Sequence, residues 1–256
     1  MVAASFEVHR LGEVDSTNDW VLAAARAGAP DRTVAVAEFQ RRGRGRLDRR
    51  WEAPAGSALL CSVLLRVPLV PEDRQLATVA VGLAAVEAVR ATSGATAGLK
   101  WPNDLVAGAR KFGGILAESD GRVDDEGAAA LVVGLGVNLS YPGPPEAGGT
   151  SLLDASGRLV DRDALLSAYL SALELRAAAL VDPPAREAMV RDYLDALVTV
   201  GQEVRVEQAA ASFVGVATGI TDRGHLVVAT GDGLRVVTAG DVVHLRAASE
   251  PQEPPE

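Results

Sequence analysis

Hydrophobic residues recur at two different spacings along the first ninety positions of the chain. Residues 14–30 begin with the cap-forming run Asp-Ser-Thr-Asn, continue with apolar residues at helical spacing and end in a Gly and a Pro, which predicts a capped helix. Residues 33–39 and 57–67 are nearly continuous apolar runs, typical of buried strands. An amphipathic pattern predicts a second helix over about 71–90.

The middle of the chain alternates between short apolar runs and Gly or Asp signals. Three segments there have strand character, at 98–106, 110–119 and 130–140. A loop rich in Pro and Gly follows over 141–150. Helical patterns then occupy about 162–181 and 185–198, and we expect the pair Pro183 and Pro184 to separate them.

After Gly201 the sequence consists of short, Gly-spaced β segments. Five of them follow at regular spacing, which predicts a small β-barrel of about 50 residues. The polar, Pro-rich end over 248–256 predicts a disordered tail. The fold class is therefore α/β, with a principal domain over 1–199 and a small β domain over 200–247.

Composition and charge exclude several classes of function. The formal net charge is −9, which argues against a general nucleic-acid coat protein because such affinity comes from neutralising phosphates. The apolar runs are shorter than the roughly 20 residues of a membrane span, so we predict none. The single cysteine, Cys61, permits no disulfide framework, which favours the reducing cytoplasm.

One stretch carries a positive charge that the rest of the chain lacks. The sequence QRRGRGRLDRRW spans residues 40–51, and six of its positions 41–50 are arginine. It is bracketed by two predicted strands of one sheet. Three interpretations remain open here: a solvated charge run, a nucleic-acid arm of Arg-Gly type, or a loop that closes over a phosphorylated ligand.

The position of the stretch between buried strands favours a ligand-binding loop. Gly43 and Gly45 permit backbone conformations that bring N–H groups close to an anion. The planar guanidinium groups of arginines at alternating positions can donate paired hydrogen bonds to phosphate oxygens. We expect such a loop to be mobile when empty and ordered when a ligand is bound.

A second candidate segment is KWPND at residues 100–104. Lys100 ends a predicted strand and is followed by a stiff Trp-Pro turn, so it can face a carboxylate or phosphate as a point charge. Asn103 and Asp104 could serve Mg²⁺ or a ribose, or could form a plain Asx-type turn. His9, His225 and His244 lie outside these motifs and are predicted to be surface or packing residues.

The order of several motifs resembles one family. STN at 16–18, GRGRLDRRW at 43–51, KWPNDL at 100–105, KFGGILAE at 111–118 and GLGVN at 134–138 are similar to the catalytic domain of biotin protein ligases. The segment after Gly201 is similar to that family's SH3-like C-terminal domain. The resemblance implies a catalytic domain related to class II aminoacyl-tRNA synthetases. The implied reaction joins biotin to ATP, giving biotinyl-5′-AMP, and transfers biotin to a lysine of a carboxylase's biotin carboxyl carrier domain.

The resemblance also implies the site residues. Lys100 and Arg46 are the predicted catalytic residues, with Mg²⁺ as a partner of ATP and with the metal ligands unknown. The predicted biotin or biotinyl-AMP contacts are Ser16, Thr17, Asn18, Gln40, Arg44, Gly45, Arg46, Lys100, Gly114 and Leu116. The predicted nucleotide contacts are Trp51, Asn103, Lys111 and Asn138.

One position departs from the family's pattern, and some alternatives stay open. The family loop commonly reads GRGRxGRxW, but Asp48 stands where the later glycine is usual; Asp tolerates turn conformations, so we expect the loop to close. About fifteen residues precede Ser16, too few for a helix-turn-helix module, so we expect no nucleic-acid partner. A monomer or weak homodimer is expected. Lipoate or octanoate ligases and transferases share this fold and remain the alternative function.

Overall fold

The computed structural model describes residues 6–123, 128–145, 148–208 and 211–245. The predicted tail over 248–256 lies outside these residues. The strands and helices are β1 (Glu7–Val14), α1 (Thr17–Arg26), β2 (Thr33–Gln40), β3 (Ala58–Val67), α2 (Gln75–Ser93), β4 (Gly98–Lys100), β5 (Asp104–Ala107), β6 (Arg110–Val123), β7 (Ala129–Asn138), α3 (Leu152–Ser156), α4 (Arg162–Ala179), α5 (Pro183–Ala196), β8 (Glu203–Glu207), β9 (Ser212–Ile220), β10 (Leu226–Thr230), β11 (Gly233–Val237) and β12 (Asp241–His244).

A seven-stranded mixed sheet forms the principal domain, in the order β1-β2-β3-β7-β6-β5-β4. β1 and β2 run parallel on either side of the α1 crossover, and the remaining neighbours are antiparallel. One face of the sheet packs against α2 and α4 and holds the main apolar core. α1 covers part of the opposite face through Val21, which packs with Ala35, Leu64 and Val132. The rest of that second face is left for the cleft described below.

Most predicted elements are confirmed, and the differences have local causes. β1 was not predicted because it is an edge strand with mostly exposed positions and therefore has no apolar alternation. Lys100 ends strand β4 before the Trp-Pro turn, as predicted, but a second short strand, β5, follows that turn and pairs with β4. Pro183 and Pro184 open α5 rather than lying before it, as proline suits the first helical turn, where no N–H is needed. α3 was also missed, although Ser151 and Asp154 form a capping box there.

The five predicted strands after Gly201 form a second, antiparallel sheet in the order β11-β10-β9-β8-β12. Trp101 joins this sheet to the principal domain. Its ring is 1% exposed, its Nε1 donates to the Gly224 carbonyl at 3.1 Å, and its backbone N–H donates to Thr199 Oγ1 at 3.0 Å. The two parts of the molecule are therefore packed together at the KWPND turn.

The segment Pro71–Ser93, which contains α2, is the one described helix long and apolar enough to cross a membrane by length and composition. However, 72% of its most apolar window is buried inside the protein. Residues such as Leu76, Val79 and Leu83 pack in the main core, so core packing accounts for the apolarity of this helix.

Candidate active site

A cleft of about 510 Å³ opens on the α1 face of the large sheet, beyond the N-terminus of that helix. Its floor consists of strands β3, β6 and β7, and glycines replace side chains at the centre. Gly114 of β6 lies opposite Gly136 of β7, and Leu116 lies opposite Gly134. Three of these four paired positions are glycines, so other groups can approach the backbone of the floor closely.

The space above each floor glycine is already used. A Cβ atom on Gly136 would lie 2.7 Å from the Trp51 ring, and one on Gly134 would collide with Asn18 Oδ1. The floor glycines thus let an aromatic ring and an amide approach the sheet closely. The same closeness makes the slot sensitive to a single added methyl group.

The N-terminus of α1 forms one wall of the cleft. Ser16 is the N-cap, yet its side chain makes no capping hydrogen bond. Gln40 Oε1 accepts hydrogen bonds from the Thr17 backbone N–H at 2.8 Å and from Thr17 Oγ1 at 2.9 Å. The first turn of a helix offers free N–H donors and a favourable dipole to polar or anionic groups. This wall therefore suits a polar ligand.

Asn18 connects the helix wall to the floor. Its Nδ2 donates to the Leu116 carbonyl at 3.1 Å and to Glu118 Oε2 at 2.7 Å, and its Oδ1 contacts Ser62 Oγ at 2.6 Å. Asn18 is 4% exposed, and both polar atoms of its amide are thus fixed by three hydrogen bonds within the protein. The amide cannot rotate without breaking several buried hydrogen bonds.

The arginine loop, residues 41–51 between β2 and β3, folds as a small hairpin. Backbone hydrogen bonds join Trp51 N–H to Gly43 O at 3.0 Å and Gly45 N–H to Arg49 O at 2.6 Å. Leu47 and Asp48 at the tip have φ values of 55° and 57°. Two consecutive left-handed residues are typical of type I′ hairpin turns. The prediction that Asp48 tolerates this turn is confirmed, whereas the left-handed Leu47 was not anticipated.

The loop's arginines are held by groups from three other parts of the molecule. Arg44 Nη2 donates to Asp19 at 2.7 Å and to Glu118 at 2.8 Å. Arg46 donates to the Gly240 carbonyl at 3.0 Å, and Arg49 pairs with Asp241. The small β domain therefore contributes to anchoring the loop. This contact between the small β domain and the loop was not predicted from the sequence.

Two lysines face the cleft in different settings. Lys111 Nζ pairs with Asp104 at 2.5 Å and lies 5.9 Å from the Trp51 ring centroid. A Cβ on Gly114 would lie 3.3 Å from the same nitrogen, so Lys111 stands directly over the floor. Lys100 also lines the cleft, and it forms no ion pair with any described residue.

The two predicted asparagines connect parts of the cleft wall. Asn103 Nδ2 donates to the Ile115 carbonyl at 2.7 Å, and its Oδ1 lies 3.4 Å from Arg46 Nη1. Asn138 Nδ2 donates to the Thr150 carbonyl at 3.1 Å, which holds the segment before α3 against the cleft. Both side chains are therefore partly committed to shaping the site.

Burial and positive charge favour the binding of anions in the cleft. Its lining carries six cationic side chains against three anionic ones. Burial lowers the pKa of the Arg46 guanidinium from its ordinary value, while the charges of Asp241 and Asp104 act in the opposite direction. Arginine nevertheless stays protonated in proteins. A partly desolvated cation of this kind gains from a bound phosphate, which supplies the missing counter-charge.

All fourteen predicted site residues line this one cleft. The sequence did not single out Trp51's neighbours Gly134 and Gly136 as floor positions, nor Ser62, Glu118 and Asp241. Cys61 also lies in the lining, and burial raises the pKa of its thiol to about 12, so it remains protonated and is no nucleophile. Among the described residues, no group of three or more His, Cys, Asp or Glu side chains could hold a metal ion.

The site is a narrow slot lined by glycines beside a helix N-terminus, with a cationic loop over it, which is an arrangement suited to anionic ligands. Two family models match the chain, the Biotin/lipoate A/B protein ligase family over residues 12–138 and the Biotin protein ligase C terminal domain over residues 199–245. They cover the large sheet with its cleft and the small β domain.

Comparison with individual proteins gives the same result. A biotin--[acetyl-CoA-carboxylase] ligase of Mycobacterium tuberculosis is 38% identical over 92% of this chain and 88% of its own length. A protein of the same name from Paracoccus denitrificans is 32% identical, covering 91% and 98%. The solved biotin protein ligase from Aquifex aeolicus in complex with biotin and ATP is similar with a TM-score of 0.77 and 25% identity, covering 94% of this chain and 99% of that chain. The chain belongs to the biotin protein ligase family.

Proposed function

We propose that this protein activates biotin with ATP as biotinyl-5′-AMP and then transfers biotin to one lysine of a carboxylase's biotin carboxyl carrier domain. The relatives' names support the biotin ligase function over the lipoate or octanoate alternative. The observation that carries the proposal is the meeting, in one cleft, of the α1 N-terminus, the glycine floor and six cationic side chains.

Biotin would lie in the slot with its ureido ring at the α1 N-terminus. Ser16, whose hydroxyl is not used as a cap, and Thr17 offer polar groups to the ring, and Gln40 orients Thr17. Gly114 and Leu116 would line the slot along the ring and chain. The carboxylate would then extend towards Lys111 and the arginine loop.

In the first step a biotin carboxylate oxygen attacks the α-phosphorus of ATP. The new bond is an acyl-phosphate anhydride, and the bond to pyrophosphate breaks. Both reactants are anionic, so cations must reduce the repulsion and stabilise charge on the phosphate oxygens. Lys100 and Arg46, the predicted catalytic residues, would supply these positive charges. Because Lys111 stands over the floor beside Trp51, it shares that electrostatic role as well as contacting the nucleotide.

In the second step a carrier lysine amine attacks the acyl carbon of biotinyl-AMP. An amide bond forms, the amine loses a proton, and AMP leaves with the electron pair of the broken anhydride bond. Positioning and exclusion of water matter most here, because the anhydride is already activated. Arg44, Gly45 and Arg46 in the closed arginine loop would hold the intermediate and shield it from hydrolysis.

The nucleotide would be held by Trp51, Asn103 and Asn138, together with Mg²⁺. Mg²⁺ usually binds through one or two carboxylates plus substrate phosphates, which fits a cleft with few acidic residues. Asp104 would hold the ion alongside the phosphate oxygens. When bound, Mg²⁺ would neutralise part of the phosphate charge.

We further propose the finer assignments of fold and setting. The catalytic domain, over 1–199, is of the class II aminoacyl-tRNA synthetase type, and residues 200–247 form an SH3-like barrel. The five-stranded antiparallel order β11-β10-β9-β8-β12 supports the second assignment. The protein would act in the cytoplasm as a monomer or weak homodimer, with a carrier domain and no nucleic acid as its partner.

The proposal is tested by incubating the protein with a carrier domain, biotin and Mg·ATP and measuring the carrier by mass spectrometry. We expect the mass of one added biotinyl group, located at a single lysine. An ATP–pyrophosphate exchange assay should respond to biotin and not to lipoate. Exchange supported by lipoate alone would instead establish the alternative.

A further inference from the structure

A chain of hydrogen-bonded side chains runs beneath the cleft, from the end of β2 to the arginine loop. Each member contacts the next, and the donor and acceptor atoms of all five links lie within 2.9 Å of each other. The members, in order, are Gln40, Thr17, Ser62, Asn18, Glu118 and Arg44. The chain therefore connects the helix wall, the floor and the loop.

Ser62 stands at the centre of this chain. It lies on β3, its side chain is 0% exposed, and its Oγ contacts Thr17 Oγ1 at 2.7 Å and Asn18 Oδ1 at 2.6 Å. Its strand neighbour on β7 is Gly134, whose missing side chain leaves room for Asn18. A hydroxyl buried this deeply is costly unless it is hydrogen-bonded. Within the described chain, Thr17 and Asn18 are the side chains that satisfy it.

The orientation of Asn18 makes the contact directional. Asn18 Nδ2 is committed to donating to Leu116 O and Glu118, so its oxygen must face Ser62. Likewise Gln40 must present Oε1 to the Thr17 backbone N–H. The Thr17 and Ser62 hydroxyls therefore lie between two acceptors, Gln40 Oε1 and Asn18 Oδ1.

The two hydroxyl groups of this chain have too few hydrogens to make a hydrogen bond at every oxygen–oxygen contact. Thr17 and Ser62 have one hydroxyl hydrogen each, but three oxygen–oxygen contacts link Gln40, Thr17, Ser62 and Asn18. When both hydroxyls point towards Gln40, Asn18 Oδ1 has no hydrogen from Ser62 and can accept one from elsewhere. A cyclic urea, which carries two N–H donors and one carbonyl acceptor, matches this arrangement.

We propose that Ser62 is a positioning residue for the acyl substrate, which fixes the ligand-facing groups of Thr17 and Asn18 without contacting the reacting atoms. The inference rests on the proposed function, because it assigns the recognition of biotin to this wall. Ser62 should therefore influence biotin binding far more than ATP binding or the chemical step.

The test measures biotin and ATP kinetics by pyrophosphate exchange for Ser62→Ala. We expect the KM for biotin to rise about tenfold, as for the loss of one or two buried hydrogen bonds, while kcat and the KM for ATP stay within about twofold. Ser62→Thr keeps the hydroxyl and should recover most of the biotin affinity. In Ser62→Cys the side chain is of similar size but is a weak hydrogen-bond donor, so the KM for biotin should rise as in Ser62→Ala. This variant replaces Ser62→Ala in the test if Ser62→Ala is unstable.

A matched control separates positioning from stability. Ser93 is also buried, and its hydroxyl donates to the Val89 carbonyl within α2, outside the cleft. Ser93→Ala should lower thermal stability to a similar extent but leave the KM for biotin unchanged. In a double-mutant cycle, Asn18→Ala and Ser62→Ala together should raise the KM by less than the product of their separate effects.

Two outcomes overturn the inference, and they are distinguishable. If the unaltered protein shows no biotin-dependent exchange, the proposed function fails, and this inference with it. If the unaltered protein exchanges normally but Ser62→Ala has the parental KM for biotin, or raises both KM values equally, then Ser62 has no positioning role and only the inference fails.

Discussion

The floor and the arginine loop enclose the same cleft but are held in opposite ways. The floor side is fixed by buried hydrogen bonds, centred on Asn18 and Ser62, and by glycines with no space for a side chain. The loop side is held by ion pairs of arginines that are largely exposed, such as Arg44 with Asp19 and Arg49 with Asp241.

This difference indicates that the floor and the loop have different roles in ligand binding. Exposed ion pairs contribute only about 0–1 kcal/mol each, so a ligand phosphate can replace them at little cost. A buried polar group that loses its partner costs about 1–3 kcal/mol, so the floor resists rearrangement. The floor is thus suited to recognising one ligand shape, and the loop arginines are suited to exchanging their carboxylate partners for the oxygens of a bound phosphate. The predicted ordering of the loop by ligand remains a prediction.

The largest effect should come from adding one methyl group to the floor. In Gly134→Ala the new Cβ would displace the Asn18 amide, which is locked by Ser62, Leu116 and Glu118. We expect biotin affinity, measured by calorimetry, to fall about 100-fold, since overpacking costs about 1–3 kcal/mol. Gly12→Ala is the control, because its added Cβ meets no atom within 4 Å. Normal biotin binding by Gly134→Ala would contradict the rigid floor.

Removal of a cleft lysine should come next. Lys100→Ala and Lys111→Ala should each depress adenylate formation about 100-fold, the usual cost of losing one group that stabilises transition-state charge. Biotin-dependent pyrophosphate exchange measures this step. Arg110→Ala removes an equal charge from an exposed position next to Lys111 and should have little effect. Parental exchange rates in both lysine variants would show that their role assignment is wrong.

A loop arginine should affect retention rather than folding. Arg46→Ala should unfold at nearly the parental temperature but release about tenfold more biotinyl-AMP into solution, as expected for losing one charge-assisted hydrogen bond. Released intermediate is quantified by chromatography without a carrier domain. Arg42→Ala, whose side chain is 79% exposed in the same loop, is the matched control. Equal release from both variants would remove the distinction between cleft-facing and outer arginines.

The smallest expected effect is a change in the pH dependence of stability, caused by His244 beside Lys100. Burial, and then the positive charge of Lys100, lower the pKa of His244 from its ordinary 6.5. The unfolded chain therefore takes up this proton first as the pH falls, so the free energy of unfolding is unaffected by His244 above pH 6.5 and decreases below it. Thermal unfolding between pH 7.5 and 5 should show a smaller decrease in unfolding temperature for His244→Gln than for the parent, and His225, whose pKa is also lowered by burial, should contribute to the decrease that remains. Identical profiles would argue against the buried setting of His244.

The sequence was sufficient to find the cleft because its chemistry is concentrated in local motifs. Gly-Arg alternation, a lysine before a stiff turn and paired glycines each require particular residues at fixed spacing. The strand pattern then placed the arginine loop between two paired strands, which β2 and β3 confirm. Even the departure at Asp48 could be interpreted, because left-handed backbone is a local property of a residue type.

Contacts between distant segments could not be predicted in the same way. Ser62 sits in an apolar run, where a serine gives no sign of a partner 45 residues earlier. Asp241 and Gly240 meet the loop only because Trp101 packs the small domain against the turn. Strand β1 was not predicted because its positions are mostly exposed at the sheet edge. The contacts of Ser62, Gly240 and Asp241 depend on tertiary packing, which a single sequence does not encode at short range.

The anchoring of Arg46 and Arg49 has a consequence for how the chain can be divided. Both arginines are bound by residues 240 and 241, nearly two hundred positions later. A truncated protein ending near residue 199 would keep every recognisable motif and the whole large sheet. It would nevertheless lack the attachment points of its own lid, so the carboxy-terminal piece is part of the enclosure rather than an appendage.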